Sequence, residues 1–163
     1  MSDTLPHVRS ILESTNLPFE VWDCDNELAD TAAFCAHYNV SPGQSANAIL
    51  VRSKEQSPQW RLCVVLATHK LDVNKAVRKT LGVKKVSFAS AEETREKTSM
   101  EIGGVTPIGL PDDLIVWVDE AVMKPNFIIL GGGNRTSKLK VSPEIFRQLP
   151  NVEVIENLAI PRE

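Results

Sequence analysis

The sequence is poor in the residues that build covalent or metal-bound frameworks. Its 163 residues include only three cysteines, an odd number, and no two of them form a CxxC pair. The three histidines lie far apart along the chain, and none belongs to an HExxH motif. A disulfide scaffold or a thiolate zinc site is therefore not expected. We predict reduced, partly buried thiols, no metal and no other cofactor.

Long apolar runs and a strong net charge are missing as well. No apolar stretch approaches the roughly 20 residues that a membrane-spanning helix needs, and the first ten residues, MSDTLPHVRS, contain no signal-peptide core. The net charge of −3 disfavours a protein that coats nucleic acid non-specifically, but it allows one that contacts only the end of a nucleic acid. We therefore expect a cytoplasmic protein that has no membrane partner.

What the sequence does contain is the composition of one globular domain. Apolar residues make up 42% of the chain and charged residues 24%, and the length predicts a single domain over residues 1–163. Hydrophobic periodicity and helix caps predict helices and short strands that do not alternate regularly. This mixture favours an α/β fold of the mixed α+β type, with helices around a mixed sheet or half-open barrel, over a doubly wound sheet.

The predicted elements extend along most of the chain. Helices are expected over residues 5–16, 28–38 and 72–82, from Ser90 and from Ser142; strands are expected over 19–24, 48–52, 60–67, 86–89, 114–118, 126–130 and 139–141. The second and third strands read as a hairpin with its loop at 54–58. The strands at 114–118 and 126–130 lack clean alternation, which predicts two adjacent core strands that are covered on both faces.

Two glycine-rich stretches border these two apolar strands. EIGGVTPIGLP (101–111) combines glycines that can reach positive φ with prolines that stiffen the backbone, and GGGNR (131–135) directly follows an apolar strand. Each stretch is either a plain turn or a place where backbone N–H groups meet a ligand. No GKS, GKT or GxGxxG pattern accompanies the second stretch, so a nucleotide triphosphate is a weak candidate. The two together favour ligand recognition.

The order of the motifs resembles one protein family. The free-standing YbaK/ProX aminoacyl-tRNA editing domains, relatives of the editing insertion of prolyl-tRNA synthetases, are similar over residues 19–146 through GGVTPIGL, VWVDEAV, IILGGGNR and LKVSPEIF. LDVNKAVRKTLGVKKVSFASAEE also resembles their helix–strand–helix segment. The resemblance implies a YbaK-like mixed sheet or half-barrel surrounded by helices. It also implies trans-acting hydrolysis of the ester between a wrong amino acid and the tRNA 3′ end.

The resemblance implies partners and site residues too. The partner is a tRNA 3′ end that carries an amino acid, with transient association with a synthetase as an addition; the oligomeric state stays open. The amino-acid pocket would be lined by Gly103, Gly104, Val105, Pro107, Ile108 and Gly109. The terminal adenosine and the ester would face Gly131, Gly132, Gly133, Asn134 and Arg135.

The implied chemistry is mostly electrostatic. The amides of the three consecutive glycines would stabilise an oxyanion. Thr106 and Asn47, together with a hydroxyl or amine of the substrate, would orient the attacking water. A wall formed by Thr106 and Ile108 suggests a small amino acid such as alanine, serine or threonine.

One position departs from the family pattern. In SANAILV, Asn47 stands where the family commonly has a lysine, so a neutral amide replaces a point charge. Lys54 or Lys70 could supply charge from another position. The alternative function is a catalytically silent module that binds aminoacyl-tRNA or an amino-acid-like ligand, and a regulatory interaction domain is a third hypothesis.

Other side chains allow a functional and a structural interpretation. Asp119 could orient a reacting group or cap the next helix, and His69 could be a general base or, more simply, an exposed turn residue. Tryptophans offer stacking surfaces for bases, although the last of them fits the core; they are Trp22, Trp60 and Trp117. A basic set could hold tRNA phosphates or be merely solvated; it consists of Lys75, Arg78, Lys79, Lys84 and Lys85.

Overall fold

The computed structural model describes residues 3–162, and these form four α-helices and ten β-strands. The helices are α1 (Pro6–Ser14), α2 (Thr31–Tyr38), α3 (Arg78–Leu81) and α4 (Ala91–Thr98). The strands are β1 (Phe19–Asp23), β2 (Ala46–Ser53), β3 (Trp60–Leu66), β4 (His69–Leu71), β5 (Val86–Phe88), β6 (Ile115–Asp119), β7 (Ile128–Gly131), β8 (Ser137–Val141), β9 (Val152–Ile155) and β10 (Ala159–Pro161). The mixed α+β class that the sequence predicts is confirmed.

Two sheets meet at the start of β2. The larger sheet has the order β5-β2-β3-β6-β9, in which β2 pairs antiparallel with both of its neighbours and the last three strands run parallel. The smaller sheet is antiparallel with the order β1-β8-β7. A parallel bridge between Ser45 and Ile129 connects β7 to the beginning of β2. The result is a partly closed, barrel-like arrangement, and β4 and β10 form a separate two-stranded ribbon.

One edge of β2 is only partly paired. β5 pairs with Val51–Ser53, and the bridge to β7 at Ser45 engages the backbone as far as Ala46, so within the described chain no strand pairs with residues 47–49 on this side. The Ala67 N–H donates to the carbonyl oxygen of Ser45, which fixes the residues of β2 that bond to β3. Alternation along the ladder then directs the backbone N–H and C=O of Ala48 to the open edge.

Apolar clusters cover the sheets on both faces. The largest lies on the inner faces of both sheets and beneath α1, and it includes Leu12, Leu62, Leu130 and Phe146. A second cluster on the opposite face of the larger sheet includes Cys63, Val77, Trp117 and Leu158. A third cluster attaches α2 to the smaller sheet and includes Phe34, Cys35 and Ile129. The two strands that border the glycine-rich stretches, β6 and β7, are therefore covered on both faces, as predicted.

Several predicted elements need correction. β6 is central in the larger sheet, whereas β7 is at the edge of the smaller one, so the two strands are not adjacent. The helix predicted over 28–38 begins at Thr31, because a separate 3-10 turn, Asn26–Leu28, precedes it. The helix predicted from Ser142 is a 3-10 turn, Pro143–Arg147. The strands β4, β9 and β10 were not predicted, since they have only three or four residues each.

All three cysteines are free and buried, in agreement with the prediction of unpaired thiols. Cys63 is the most enclosed, and burial raises the pKa of its thiol to about 12. We expect a disulfide reagent at pH 8 to leave Cys63 unmodified in the native protein and to modify all three thiols in denaturant, because only the thiolate reacts. Absorbance of the released thiolate measures this. Fast modification of three thiols under native conditions would contradict the packing described here.

Candidate active site

The two glycine-rich loops contact each other directly. The Gly133 N–H donates to the carbonyl oxygen of Gly104 at 2.6 Å. A Cβ atom placed on Gly104 would lie 2.4 Å from the carbonyl oxygen of Asn134, and one on Gly131 would lie 2.5 Å from the carbonyl oxygen of Val105. Only residues without a side chain permit so close an approach of two backbones. The glycines at these positions are therefore required by packing between the loops.

Of the three consecutive amides, two are used in hydrogen bonds inside the protein. The Gly132 N–H donates to the carbonyl oxygen of Ser137 at 3.1 Å, and the Gly133 N–H is bonded to Gly104. Because N–H groups alternate in direction along a strand, the Gly131 N–H is directed to the opposite edge of β7, toward β2. The prediction that all three amides serve an oxyanion is corrected for Gly132 and Gly133, whose donors are used inside the protein.

A central cleft opens where the edge of β2 is unpaired. Its volume is about 240 Å³, and its walls come from β2, the start of α2, the first glycine loop, β7 and β8. The lining residues are Asp30, Thr31, Ala46, Asn47, Ala48, Ile49, Ile102, Gly103, Val105, Gly131 and Lys138. The cleft thus brings together four of the predicted site residues, namely Asn47, Gly103, Val105 and Gly131.

Two more apolar cavities adjoin the central cleft. The α2 cavity, of about 580 Å³, shares Thr31 and Asn47 with the cleft and is completed by Ala32, Cys35, Ala36, Val40, Pro42, Ala67 and Arg162. The α4 cavity, of about 240 Å³, shares five residues with the cleft and extends to Leu50, Phe88, Ala89 and Thr94. We call the three together the groove. It is polar in the middle and apolar at both ends.

Asn47 lies at the junction between the central cleft and the α2 cavity. Thr31, the first residue of α2, donates its hydroxyl to the Asn47 Oδ1 atom. This bond fixes the side-chain amide of Asn47, and within residues 3–162 nothing accepts a hydrogen bond from its Nδ2 atom. Asn47 therefore offers two neutral N–H donors to whatever occupies the groove.

A lysine that the sequence analysis did not single out also lines the cleft. Lys138, the second residue of β8, is only 5% exposed, and its Nζ atom donates to the carbonyl oxygens of Ala29 at 2.6 Å and Gly103 at 3.3 Å. Burial lowers the pKa of this ammonium group. The strand predicted over 139–141 does not include Lys138. Only the pairing register, which puts Lys138 opposite Gly131, reveals its position.

Arg135 fixes the first glycine loop to the segment before α2. Its guanidinium donates to the carbonyl oxygen of Ile102 at 2.7 Å, to the side chain of Asn26 at 2.9 Å and to the backbone carbonyl of Asn26 at 2.8 Å. It also pairs with Asp30 at 3.4 Å. All of its nitrogens are thus bonded within the protein. The predicted substrate contact of Arg135 is replaced by a role in holding the wall of the cleft.

Asn134 has a similar internal role. Its Oδ1 atom accepts from the hydroxyl of Ser137 at 2.7 Å, and its Nδ2 atom donates to the carbonyl oxygen of Asp3 at 2.9 Å. These bonds shape the turn between β7 and β8. The structure therefore corrects the prediction of substrate contact for Asn134 as well, because the side chain lines none of the three cavities of the groove.

The second half of the first glycine loop turns into the core. Thr106 and Ile108 are both fully buried, and Pro107 is buried between them. Gly109 has a φ of 84° and packs against the side chain of His7. The predicted wall of Thr106 and Ile108 is therefore wrong, as are the pocket roles of Pro107 and Gly109. Val105 is the apolar side chain that the segment contributes to the cleft.

The remaining candidates lie outside the groove. Asp119 is buried and accepts from the N–H of Ala159 at 3.2 Å, so its side chain does not cap the following turn. The His69 ring interacts with the hydroxyl of Thr68, and Trp117 is a core residue, as predicted. The basic residues at the other end of β2 surround a separate cavity of about 310 Å³; they are Lys54, Arg78, Lys84 and Lys85.

The missing charge at Asn47 is therefore not supplied by either lysine that the sequence suggested. Lys54 lies in the separate basic cavity, and Lys70 is exposed in β4. The groove holds Lys138 instead. In the described part of the chain, histidine, cysteine and acidic side chains do not gather into a group of three that could hold a metal ion, and no helix there is long and apolar enough to cross a bilayer.

The chain is similar to one protein family and to several known proteins. A family described as "Aminoacyl-tRNA editing domain" matches residues 25–149, well over half of the chain. The uncharacterized protein YwhH of Bacillus subtilis is 29% identical over 82% of this chain and 87% of its own length. A protein of Enterococcus faecalis named as a candidate Cys-tRNA(Pro)/Cys-tRNA(Cys) deacylase, EbsC, is 22% identical over 90% of this chain and 88% of its own.

Solved structures share the fold. The hypothetical protein APE2540 superposes with a TM-score of 0.82 at 22% identity, over 94% of this chain and 99% of that one. The crystal structure of a candidate trans-editing enzyme for prolyl-tRNA synthetase superposes with a TM-score of 0.77 at 20% identity, over 98% of this chain and 99% of that one. The barrel-like sheet with its surrounding helices is therefore the fold of these proteins.

Proposed function

Because the chain belongs to the aminoacyl-tRNA editing domain family, we propose that it hydrolyses the ester of a mischarged aminoacyl-tRNA as a free-standing deacylase. The observation that carries the proposal is the order of compartments in the groove, which is apolar, polar and apolar. The 3′ end of an aminoacyl-tRNA has the same order: side chain, ester and ribose, then the flat face of a base. A concave site with a few polar groups between apolar walls suits such a ligand.

The α4 cavity is the compartment we assign to the amino acid side chain. It is bounded by Ile49, Val105 and Thr94, and its volume of about 240 Å³ suits a small or medium side chain. The α2 cavity is larger and takes the terminal nucleoside, with the Arg162 guanidinium at its margin available for a phosphate. The central cleft then holds the ester beside Asn47 and the Gly131 N–H.

The proposed reaction is attack of water on the ester carbonyl. The bond from the water oxygen to the carbonyl carbon forms, and the bond to the ribose oxygen breaks. The ribose oxygen receives the proton that the water loses, so that the products are a free amino acid and tRNA. Preorganised N–H donors stabilise the negative charge that develops on the carbonyl oxygen. Asn47 and a hydroxyl or amine of the substrate orient the water.

A deacylation assay over a panel of mischarged tRNAs tests this proposal. Release of labelled amino acid is measured for the wild type, for Asn47→Ala and for Asn126→Ala, an exposed asparagine outside the groove. We expect the wild type to accelerate release for at least one small or medium amino acid. Asn47→Ala should lower kcat on the order of 10²-fold, the effect of losing one oriented donor, and Asn126→Ala should leave the rate unchanged.

The alternative is a silent binding module, which would follow if the neutral Asn47 does not sustain catalysis. It predicts that the wild-type protein binds aminoacyl-tRNA but releases no amino acid above the rate in buffer. Binding is measured with tRNA that carries the amino acid through an amide, which cannot be hydrolysed under these conditions. Tight binding of this analogue without deacylation of any ester in the panel would replace our proposal with the alternative.

A further inference from the structure

The ammonium group of Lys138 is buried without a carboxylate in direct contact, although Asp30 lines the same cleft. In the described chain no carboxylate oxygen lies within 4 Å of its Nζ atom, and its two hydrogen-bond acceptors are the uncharged carbonyls of Ala29 and Gly103. A lysine carries three N–H donors, so the two carbonyls leave one donor over. Nζ lies 5.3 Å from the centroid of the Phe34 ring, and Lys138 also lines the central cleft. Burying a charge without a partner costs stability, which makes such a residue a candidate for function rather than for folding.

The position of Lys138 in the fold puts this residue in the wall of the proposed ester site. Lys138 in β8 lies directly opposite Gly131 in β7, and both residues line the central cleft together with Asn47. Lys138, Gly131 and Asn47 therefore line the same small volume from three different strands. Nothing else that lines the central cleft carries a positive charge.

We infer that Lys138 is the catalytic cation of the groove and that it supplies, from β8, the charge that Asn47 does not supply from β2. The inference rests on the proposed deacylase function. The third N–H of Nζ donates to the carbonyl oxygen of the ester. As the water oxygen bonds to the carbonyl carbon, the π electron pair moves onto this oxygen, and the ammonium stabilises it until the ribose oxygen leaves.

The neutral residue at position 47 is consistent with this arrangement. Two ammonium groups in a cleft of about 240 Å³ would repel each other, and each would disfavour the charged form of the other. A short neutral amide beside Lys138 avoids this repulsion and still donates hydrogen bonds. A lysine is therefore expected to work at one of the two positions, 47 or 138, and not at both.

Two single variants of Lys138 and one control variant test whether catalysis needs the positive charge of Lys138. Lys138→Met removes the ammonium, while Lys138→Gln keeps donors for the carbonyls of Ala29 and Gly103 but carries no charge. Lys140→Met is the control, since Lys140 lies two residues further on the same strand and pairs with Glu20 at 3.3 Å. We expect both Lys138 variants to lower kcat on the order of 10²-fold and Lys140→Met to retain the wild-type rate. The melting temperature should be unchanged or higher in Lys138→Gln, which keeps a donor for the buried carbonyls, whereas Lys138→Met leaves them unpaired.

A lysine moved to position 47 distinguishes a catalytic role of Lys138 from a structural one. In the double variant Asn47→Lys/Lys138→Met, the charge returns to the cleft from β2, and we expect at least tenfold recovery of kcat over Lys138→Met. A residue that only held Ala29 and Gly103 together would not be replaced by a lysine on another strand. Asn47→Lys alone should be slower than the wild type, because two cations then share the cleft.

The outcomes distinguish the inference from the function on which it rests. Wild-type activity that Lys138→Gln retains within twofold overturns the inference and leaves the deacylase proposal intact. Loss of activity in both Lys138 variants without recovery in the double variant overturns the catalytic role. Lys138 would then have only a structural role, in which it connects the carbonyls of Ala29 and Gly103. A wild-type protein that deacylates no tRNA in the panel overturns the deacylase proposal, and the inference with it.

Discussion

Gly104→Ala is expected to lower the free energy of unfolding by about 3 kcal/mol or more, at the upper end of the range for overpacked positions. The added Cβ would lie 2.4 Å from the carbonyl oxygen and 2.5 Å from the carbonyl carbon of Asn134. Both are backbone atoms, so no side chain can rotate away. The two loops must separate, which also breaks the hydrogen bond from Gly133 to Gly104. Denaturant unfolding followed by far-ultraviolet circular dichroism measures the change.

Two other glycines serve as controls for Gly104. Gly43→Ala adds a methyl group whose nearest neighbour is the Ser41 hydroxyl oxygen at 3.7 Å, an ordinary contact, so the change should stay within about 0.5 kcal/mol. Gly82 has open space around it but a φ of 70°, so its replacement reports backbone strain alone. Equal stability of Gly104→Ala and Gly43→Ala would mean that the two loops do not pack as described.

This result bears on how the glycines should be interpreted. The sequence left two explanations open for each stretch, a turn or a place where a ligand approaches the backbone. The structure adds a third for Gly104 and Gly131, in which the backbone of one loop approaches the backbone of the other. The sequence cannot distinguish these cases, because a missing side chain shows that something comes close and not what comes close.

Local chemistry explains which elements were predictable. Ser90 begins α4 with a complete capping box with Glu93, and Gly82 ends α3 in the left-handed conformation, both as the sequence indicates. The apolar runs of β3 and β6 are buried wherever the fold places them. By contrast, β9 and β10 are short, and their exposed residues include Val154 and Ile160. Such strands form because a partner strand is available, which is a tertiary property.

The candidate site shows the same difference between residues that local motifs identify and residues whose position depends on the tertiary structure. Asn47, Gly103, Val105 and Gly131 were identified through motifs and do line the cleft. Lys138 was missed, since its place depends on the register between β7 and β8. Thr106 and Ile108 were placed in the pocket, but the chain turns inward between the positive-φ residues Gly103 and Gly109. Motifs therefore located the loops, and pairing and backbone direction decided which side chains face the groove.

Phe34→Ala is expected to cost about 3–5 kcal/mol, the usual range for removing a buried aromatic ring. Phe34 is 1% exposed, stacks on Tyr38 with ring centroids 4.8 Å apart and lies beneath the ammonium of Lys138. α2 has only eight residues, too few for a helix that is stable without tertiary contacts. Loss of the ring should therefore also release Thr31 and lower deacylation. Thermal unfolding and the deacylation assay, run side by side, measure both effects.

Phe88→Ala provides the matched control, because it removes the same ring from the other end of the groove. Phe88 is 59% exposed, so its loss should change the free energy of unfolding by no more than about 0.5 kcal/mol. It lines the α4 cavity, however, and we expect a higher KM that depends on the amino acid carried by the tRNA. The two variants distinguish a residue that anchors α2 from a residue that recognises the substrate. An unchanged free energy of unfolding in Phe34→Ala would show that α2 does not depend on this ring. An unchanged KM in Phe88→Ala for every amino acid would show that the α4 cavity is not the side-chain compartment.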